Sequence, residues 1–315
     1  MDILYLAAGL AILVLAGDAL VKGAVALSLR LGIPVVVVGL TVVAFGTSAP
    51  ELLVSVQAAL EGVPGIAVGN VVGSNIANVL LVLGLPALIT RIRPSGEGCQ
   101  RSFAQMIGAS LVLIALCFAG PLGPWHGAVL LGLFTLMLVD AYVAARAGRA
   151  DVTGEVDRSA LKLPRWRVAL LLVGGLVGLP IGAQLLIDGA VGLSRTLGVS
   201  EEVIGLTVVA LGTSLPELAA TFAAAFRRET DVVMGNVIGS NLFNILLILG
   251  VTSLFGPFEI DPAFIRRDLW VMLGTSLLLA PFVYRSWPVG RRVGLAFLGL
   301  YVGYIWVLYH NGGLA

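Results

Sequence analysis

The sequence predicts an all-α membrane protein of ten transmembrane helices, arranged as two inverted five-helix repeats with the N-terminus outside. Three observations predict this fold: an apolar composition, an uneven distribution of basic residues between apolar segments, and an internal duplication. Of the 315 residues, 58% are hydrophobic and 12% are charged, whereas a soluble domain carries about a quarter charged residues. A chain this apolar cannot bury its apolar surface in its own interior. We therefore expect a multi-pass protein of the cell membrane, with the lipid bilayer as its solvent.

Net charge and cysteine content exclude several other classes of protein. The net charge is +1, so no overall field would attract nucleic acid. Cys99, in a polar segment interpreted as a loop, and Cys117, in an apolar run, form no CxxC pattern. We expect two free thiols without a disulfide or metal role. The first apolar run lacks a preceding basic segment, which predicts a transmembrane helix and not a cleaved signal peptide.

Apolar runs between polar breaks give ten candidate spans. A helix that crosses the bilayer core needs about 20 apolar residues. The candidates lie at 3–29, 34–60, 66–89, 103–120, 125–145, 166–194, 200–226, 231–255, 268–285 and 291–309.

Basic residues are concentrated in every second connection between these spans. With the N-terminus outside, 15 Lys and Arg residues fall in cytoplasmic connections and 3 fall outside. The cytoplasmic set is Arg30, Arg91, Arg93, Arg101, Arg146, Arg149, Arg158, Lys162, Arg165, Arg167, Arg227, Arg228, Arg285, Arg291 and Arg292. The outside set is Arg195, Arg266 and Arg267. Positive charge accumulates in short cytoplasmic loops, so this split predicts both the number of spans and their orientation.

Two long segments occur twice at a constant offset of 166 residues. Residues 39–60 and 205–226 are identical at 14 of 22 positions, and residues 69–84 and 235–250 at 11 of 16. Each copy holds five predicted spans. Because five is an odd number, the second copy crosses the membrane in the opposite orientation to the first. Many transporters are built from such inverted repeats and have their ion site where the repeats meet. The predicted units are a first repeat (1–145), a short cytoplasmic connector (146–165) and a second repeat (166–315).

The second and seventh spans carry a carboxylate together with hydroxyls. Thr47, Ser48 and Glu51 are spaced i, i+1 and i+4, and the same pattern recurs at Thr213, Ser214 and Glu217. Residues three or four apart share a helix face, so these groups point into one groove. A carboxylate at the middle of a membrane helix costs roughly 2.5–3.5 kcal/mol on insertion scales. Two of them at symmetric positions indicate compensation by bound cations or protons.

A proline follows the Thr-Ser pair in each of these spans. Pro50 and Pro216 lack the N–H that would bond to the carbonyls of Gly46 and Gly212. Freed carbonyls, hydroxyls and carboxylates are hard oxygen ligands suited to Na⁺ or Ca²⁺. Zinc or copper would favour histidine or cysteine, and this pattern contains neither.

The third and eighth spans supply a second polar wall. Its amides and hydroxyls are spaced i, i+4 and i+8 on one helix face, and they are Asn70, Ser74 and Asn78, and Asn236, Ser240 and Asn244. Two interpretations stay open for Asn70 and Asn236, and for Asn75 and Asn241. They either take part in the site or hold helices together at close approaches between small residues.

The doubled motifs GTSAPEL with GSNIAN, and GTSLPEL with GSNLFN, resemble the alpha-repeats of the cation/calcium exchanger superfamily. They are most similar to those of prokaryotic sodium/calcium exchangers, and the resemblance covers nearly the whole chain. It implies four cation sites between spans 2, 3, 7 and 8, with three Na⁺ exchanged for one Ca²⁺. It also implies that spans 1 and 6 slide as a gate across a rigid core of the other eight helices.

The same resemblance implies the ligands. Glu51 and Glu217 would bridge the calcium site and share sodium ligands. Hydroxyls or carbonyls would come from Thr47, Ser48, Thr213 and Ser214, and carbonyls from Ala44 and Ala210. The outer and middle positions would be completed by Ser74, Asn78, Ser240 and Asn244.

One position differs from part of the family. Some relatives, including potassium-dependent exchangers, carry Asp where this chain has Asn244, whereas Asn also occurs there in potassium-independent exchangers. With Asn78 opposite, the pocket holds two carboxylates and a formal charge of −2. That charge balances one Ca²⁺ or two Na⁺, so the stoichiometry is open and potassium dependence is not expected.

Sodium-driven calcium antiport is the function that these features favour, with no cofactor and with Na⁺ and Ca²⁺ as the transported ions. A proton/calcium exchanger of the same fold is the alternative, because protons could replace sodium on Glu51 and Glu217. Two inverted halves in one chain disfavour a channel, and no catalytic constellation indicates an enzyme. Because the site lies within one chain, a monomer is sufficient. Asp18 and Lys22 lie one turn apart in the first span. They are expected either to pair or snorkel near the helix end, or to make a contact that governs the sliding gate.

Overall fold

The computed structural model describes residues 1–94, 96–147, 163–197, 212–262 and 264–312. Within these ranges the elements are helical, and β-type pairing is limited to two isolated bridges, Ile92 with Val289 and Leu122 with Phe258. The helices are α1 (Asp2–Leu31), α2 (Val35–Thr47), α3 (Ala49–Leu60), α4 (Gly65–Leu88), α5 (Gly96–Phe118), α6 (Pro124–Ala147), α7 (Arg165–Thr196), α8 (Leu215–Phe226), α9 (Thr230–Phe255), α10 (Leu269–Leu277), α11 (Ala280–Arg285) and α12 (Arg291–Gly312).

Seven of these helices are long and apolar enough to cross a membrane: α1, α4, α5, α6, α7, α9 and α12. The bent pair α2 and α3 makes an eighth span if it is counted as one. The predicted span 268–285 is divided between α10 and α11, and of the predicted span 200–226 residues 200–211 lie outside the described residues. The prediction of an all-helical membrane protein is therefore confirmed, and the number of ten spans stays a prediction.

α5 begins earlier than the sequence predicted, at Gly96 and not near residue 103. Its first turns are polar, and Cys99, for which the sequence predicts a loop, lies in this helix at 1% exposure. Packing against α2 explains the difference: a Cβ on Gly98 would come within 3.3 Å of Val36 Cγ1. Cys99 and Cys117 are both free thiols.

Burial divides the helices into an inner pair and an outer set. Of the 18-residue apolar stretch in each helix, 94% is buried in α9 and 78% in α4. The buried share is only 22% in α6 and α7 and 11% in α12. Apolar residues that face lipid account for the exposed outer helices. The two inner helices are those that carry the predicted amide ligands.

Glycines allow α9 to approach α2 closely. A Cβ on Gly235 would lie 2.6 Å from the Val36 carbonyl oxygen. One on Gly239 would lie 2.6 Å from the Leu40 carbonyl oxygen and 2.7 Å from Ala44 Cβ. Such distances are shorter than a real side chain permits, so the two backbones touch only because these residues are small.

α1 and α7 pack along each other in the same way. A Cβ on Gly9 would lie 2.8 Å from the carbonyl oxygen of Gly182, and a Cβ on Gly175 would lie 2.6 Å from Leu20 Cβ. α1 also contacts α8, because a Cβ on Gly17 would lie 2.9 Å from the Ala219 carbonyl oxygen. The first and sixth predicted spans therefore form a pair that lies against a helix of the candidate site.

Within the described ranges, four short segments have π-helical hydrogen bonding. They are Gly39–Val43 in α2, Asn78–Val82 in α4, Phe243–Ile248 in α9 and Phe264–Asp268 before α10. The segments in α4 and α9 contain Asn78 and Asn244 at equivalent repeat positions. Because π-segments interrupt regular helices frequently at functional sites, their position draws attention to these two amides.

The close approach of α9 to α2 gives a stability prediction. Gly239→Ala should destabilise the protein by about 1–3 kcal/mol, the usual cost of overpacking. The measurement is thermal unfolding of the detergent-solubilised protein, monitored by size-exclusion chromatography. The control is Gly132→Ala in α6, where no heavy atom of the described residues lies within 4 Å of the added Cβ. Equal melting temperatures for the two variants would contradict the packing argument.

Candidate functional site

The site is built around two equivalent helix breaks. Ser48 separates α2 from α3, which meet at an angle of 47°, and has φ −85° and ψ 5°. Ser214, which precedes α8, has φ −84° and ψ 1°. Pro50 and Pro216 lie in the first turns that follow. Because proline cannot donate to the preceding turn, each helix restarts here, and this agrees with the break that the sequence predicts.

The two carboxylates lie immediately after these breaks. Glu51 and Glu217 occupy the first turns of α3 and α8, and each is 1% exposed. The positive end of a helix dipole stabilises a negative charge at this position. The two carboxylates face the same region, because Ser48, three residues before Glu51, bonds to Glu217. Burial of two like charges creates a strong demand for a cation or a proton between them.

A hydrogen bond joins the two repeats at the carboxylates. Ser48 Oγ, from the first repeat, donates to Glu217 Oε1 of the second at 2.9 Å. The other oxygens, Glu51 Oε2 and Glu217 Oε2, are buried and have no hydrogen-bond partner among the described residues. Each carboxylate therefore retains an oxygen that can bind a cation.

Asn236 of α9 connects several groups of the site. Its Oδ1 accepts a hydrogen bond from Thr47 Oγ1 at 3.2 Å. Its Nδ2 donates to Thr221 Oγ1 at 3.0 Å and to the Glu217 carbonyl at 3.4 Å. Thr47 Oγ1 also lies 3.5 Å from Ser240 Oγ. Both ends of the Asn236 amide are therefore bonded to protein groups.

Asn70 of α4 makes the equivalent contacts in the first repeat. Its Nδ2 donates to the Glu51 carbonyl at 3.2 Å and to Ser55 Oγ at 3.0 Å. Ser55 and Thr221 are related by the 166-residue offset, and neither was singled out from the sequence. Their shared hydroxyl at equivalent positions is the signal that could have identified them. These bonds favour the interpretation that Asn70 and Asn236 hold the helices together.

The amides Asn78 and Asn244 have free oxygens. Asn78 Nδ2 donates to Asn241 Oδ1 at 3.1 Å, while Asn78 Oδ1 is buried and unpartnered within the described ranges. Asn244 is 1% exposed, and neither its Oδ1 nor its Nδ2 has a partner there. Ser74 and Ser240, on the same helices, are 6% and 0% exposed.

The remaining predicted ligands differ in their availability. The Ala44 carbonyl accepts hydrogen bonds from the Ser48 N–H at 3.0 Å and from Thr47 Oγ1 at 3.3 Å. Its oxygen is thus shared with the helix. Thr213 is half-buried in the turn before α8. Ala210 lies outside the described residues.

The donor set determines which ions this arrangement suits. It consists of carboxylate, hydroxyl, amide and carbonyl oxygens, the ligands of Na⁺ and Ca²⁺. In the part of the chain that the structure describes, no group of three or more His, Cys, Asp or Glu residues could hold a metal ion. The two carboxylates give the site a formal charge of only −2. Neutral hydroxyl, amide and carbonyl oxygens would therefore supply most of the ligands of a bound calcium ion.

The chain resembles a family of known proteins over almost its whole length. Residues 1–143 and 167–310 match the family model described as sodium/calcium exchanger protein. The chain is 38% identical over 307 residues to inner membrane protein YrbG of Escherichia coli, covering 96% of this chain and 94% of that protein. It is 30% identical over 345 residues to sodium/calcium exchanger MaX1 of Methanosarcina acetivorans, covering 98% and 99%.

The fold resembles a solved structure equally well. The structure of the sodium-calcium exchanger NCX_Mj soaked with zero Na⁺ and Ca²⁺ matches with a TM-score of 0.84 at 34% sequence identity. The match covers 98% of each chain. The overall fold of the chain is therefore one that has been observed experimentally.

The bonds of Asn236 and Asn70 give a second stability prediction. Asn236→Ala leaves Thr47, Thr221 and the Glu217 carbonyl without this partner, and each buried unsatisfied group costs about 1–3 kcal/mol. Asn70→Ala removes two bonds from a half-buried position and should cost less. Thermal unfolding of both purified variants measures the difference. A larger loss of stability for Asn70→Ala would contradict this assignment of bonds.

Proposed function

Since this chain belongs to the sodium/calcium exchanger family, we propose that it is a secondary active antiporter that exchanges Na⁺ for Ca²⁺ by alternating access. The observation that carries the proposal is the pair of buried carboxylates, Glu51 and Glu217, each at a helix break and each with an unpartnered oxygen. A transporter must compensate such charges with the ion that it carries.

Twelve residues are proposed as ligands of the transported ions. Glu51 and Glu217 would bridge Ca²⁺ and share Na⁺ ligands, which accounts for their proximity and their free oxygens. Asn78 and Asn244 would bind through the amide oxygens that have no partner among the described residues. The remaining proposed ligands are Ala44, Thr47, Ser48, Ser74, Ala210, Thr213, Ser214 and Ser240.

The proposed topology has ten spans in two inverted repeats, residues 1–145 and 166–315, joined by the connector 146–165. The duplication at a 166-residue offset and the separate matches of one family model to each half support it. The distribution of basic residues supports an N-terminus outside. The two equivalent serines at the helix breaks, with nearly identical backbone angles, are what two copies of one structural unit would give.

The gate in this proposal is the pair α1 and α7. The pair lies next to the site, because Gly17 of α1 packs against the Ala219 carbonyl of α8. Asp18 of α1 pairs with Lys22 at 2.8 Å, as expected, and also with Arg227 Nη2 at 2.5 Å. Arg227 follows α8 directly, so this second ion pair joins the proposed gate to the core.

Proton/calcium exchange is the alternative within the same fold, because a proton could neutralise either carboxylate. The hydroxyls favour sodium: Ser48 bonds to Glu217, the hydroxyls of Thr47 and Ser240 lie 3.5 Å apart nearby, and a proton needs no such coordination. Charge limits the stoichiometry. Two carboxylates balance one Ca²⁺ or two Na⁺, so a third Na⁺ would have to be held by neutral oxygens alone.

Sodium dependence is the first prediction of this proposal. Calcium-45 uptake into proteoliposomes loaded with Na⁺ should exceed uptake into choline-loaded vesicles at equal pH, because the outward sodium gradient drives exchange. Protein-free liposomes report leakage. Uptake that ignores sodium and follows an imposed pH gradient would establish the proton-coupled alternative. Uptake under neither gradient would show that the transported cation is a different one.

The carboxylates give the second prediction. Glu51→Gln and Glu217→Gln should each reduce calcium uptake to the background of protein-free liposomes, because a neutral amide cannot balance a divalent ion in a buried site. Both variants should retain the elution volume of the unmodified protein. Glu61→Gln is the matched control, since Glu61 is an exposed carboxylate bonded to Gln57. Normal uptake by both site variants would refute the assignment.

A further inference from the structure

Asn241 lies beside the proposed site without being one of its proposed ligands. Its side chain is 0% exposed, and its Oδ1 accepts the 3.1 Å hydrogen bond from Asn78 Nδ2. Its Nδ2 donates to the Asn75 carbonyl at 3.4 Å and to Met106 Sδ at 3.5 Å. Asn241 thus connects an amide of the first repeat to a thioether on α5.

The direction of each bond in this chain is determined by chemistry. A backbone carbonyl and a thioether sulfur can only accept hydrogen bonds. The Asn241 amino group must therefore face Met106 and the Asn75 carbonyl, and its oxygen must face Asn78. The reversed amide would place two amino groups against each other and leave two acceptors without a donor.

The orientation of Asn78 follows from that of Asn241. Since the Asn78 amino group is held by Asn241 Oδ1, its oxygen is the end that remains free, and this oxygen has no partner among the described residues. A carboxamide oxygen binds a cation, whereas a carboxamide amino group repels one. Without the bond from Asn241, the Asn78 amide could rotate and present either end.

We propose that Asn241 is a positioning residue that keeps the amide oxygen of Asn78 directed at the transported cation, with Met106 fixing the orientation of Asn241. This inference rests on the proposed exchange function, because it assigns a role within that site. It extends the site to a thioether contact on α5, a helix that carries none of the proposed ligands.

The equivalent position in the first repeat provides a natural comparison. Asn75, equivalent to Asn241, is also 0% exposed and donates to Met272 Sδ at 3.6 Å, and Met272 is equivalent to Met106. Asn75 Oδ1, however, has no partner within the described residues, and neither has Asn244 Nδ2. Asn75 therefore matches Asn241 in type, burial and sulfur contact but does not hold a proposed ligand.

The first test compares Asn241→Ala with Asn75→Ala in sodium-loaded proteoliposomes. Loss of a residue that orients a metal ligand typically costs about 10–100-fold in affinity. We expect Asn241→Ala to raise the KM for Ca²⁺ by that factor while the maximal rate falls less, and Asn75→Ala to raise it clearly less. Equal increases in KM for the two variants would show a general packing effect and overturn the proposal.

Rescue by a symmetric ligand provides the second test. A carboxylate presents an oxygen whichever way it is rotated, so Asp at position 78 needs no orienting partner. In the Asn78→Asp background, adding Asn241→Ala should change the KM for Ca²⁺ far less than it does in the unmodified protein. An undiminished effect of Asn241→Ala in that background would overturn the proposal.

The methionines keep the proposal testable if Asn241→Ala does not fold. Leucine is nearly isosteric with methionine and cannot accept a hydrogen bond. Met106→Leu should raise the KM for Ca²⁺, whereas Met272→Leu should leave it nearer to that of the unmodified protein; equal values would count against the proposal.

Absence of sodium-dependent uptake by the unmodified protein would refute the proposed function itself. Normal exchange with an unchanged KM in Asn241→Ala would refute only the role of Asn241.

Discussion

Burial of two carboxylates in an apolar helical protein is the constraint on which the rest of the structure depends. Glu51 and Glu217 are removed from water, and the surrounding chain must offset the cost of that burial. The helix N-termini that carry the prolines and a serine hydroxyl from the opposite repeat both contribute to this. Neither of these involves Oε2 of Glu51 or of Glu217, so each carboxylate keeps one oxygen that can bind a cation.

The packing of small residues keeps this polar centre narrow. Gly235 and Gly239 bring α9 into backbone contact with α2, so Asn236 can reach Thr47 and Ser240 can lie beside it. Larger residues there would separate the helices and lengthen these hydrogen bonds. Glycines also bring α1 and α7 together, and there their neighbours are mainly backbone atoms and leucine side chains.

The sequence predicted the helical class, the equivalent positions of the two halves and the helix breaks, because each has a strong local or repeated pattern. Apolar run length, the 166-residue offset and Pro50 with Pro216 can all be read from neighbouring residues. The start of α5 could not be predicted, because its first turn packs on residues far away in the sequence, as Gly98 does on Val36. Contacts such as Asn241 with Met106 join residues 135 positions apart and leave no local pattern.

Three bonds of the site cross from one repeat to the other. Ser48 bonds to Glu217, Thr47 to Asn236, and Asn78 to Asn241. A chain of half this length would keep the bonds within one repeat, such as Asn70 with Ser55, but could not form these three. In a newly synthesised molecule, the first half enters the membrane with its share of the site incomplete, and the polar groups reach their partners only after the second half has been inserted.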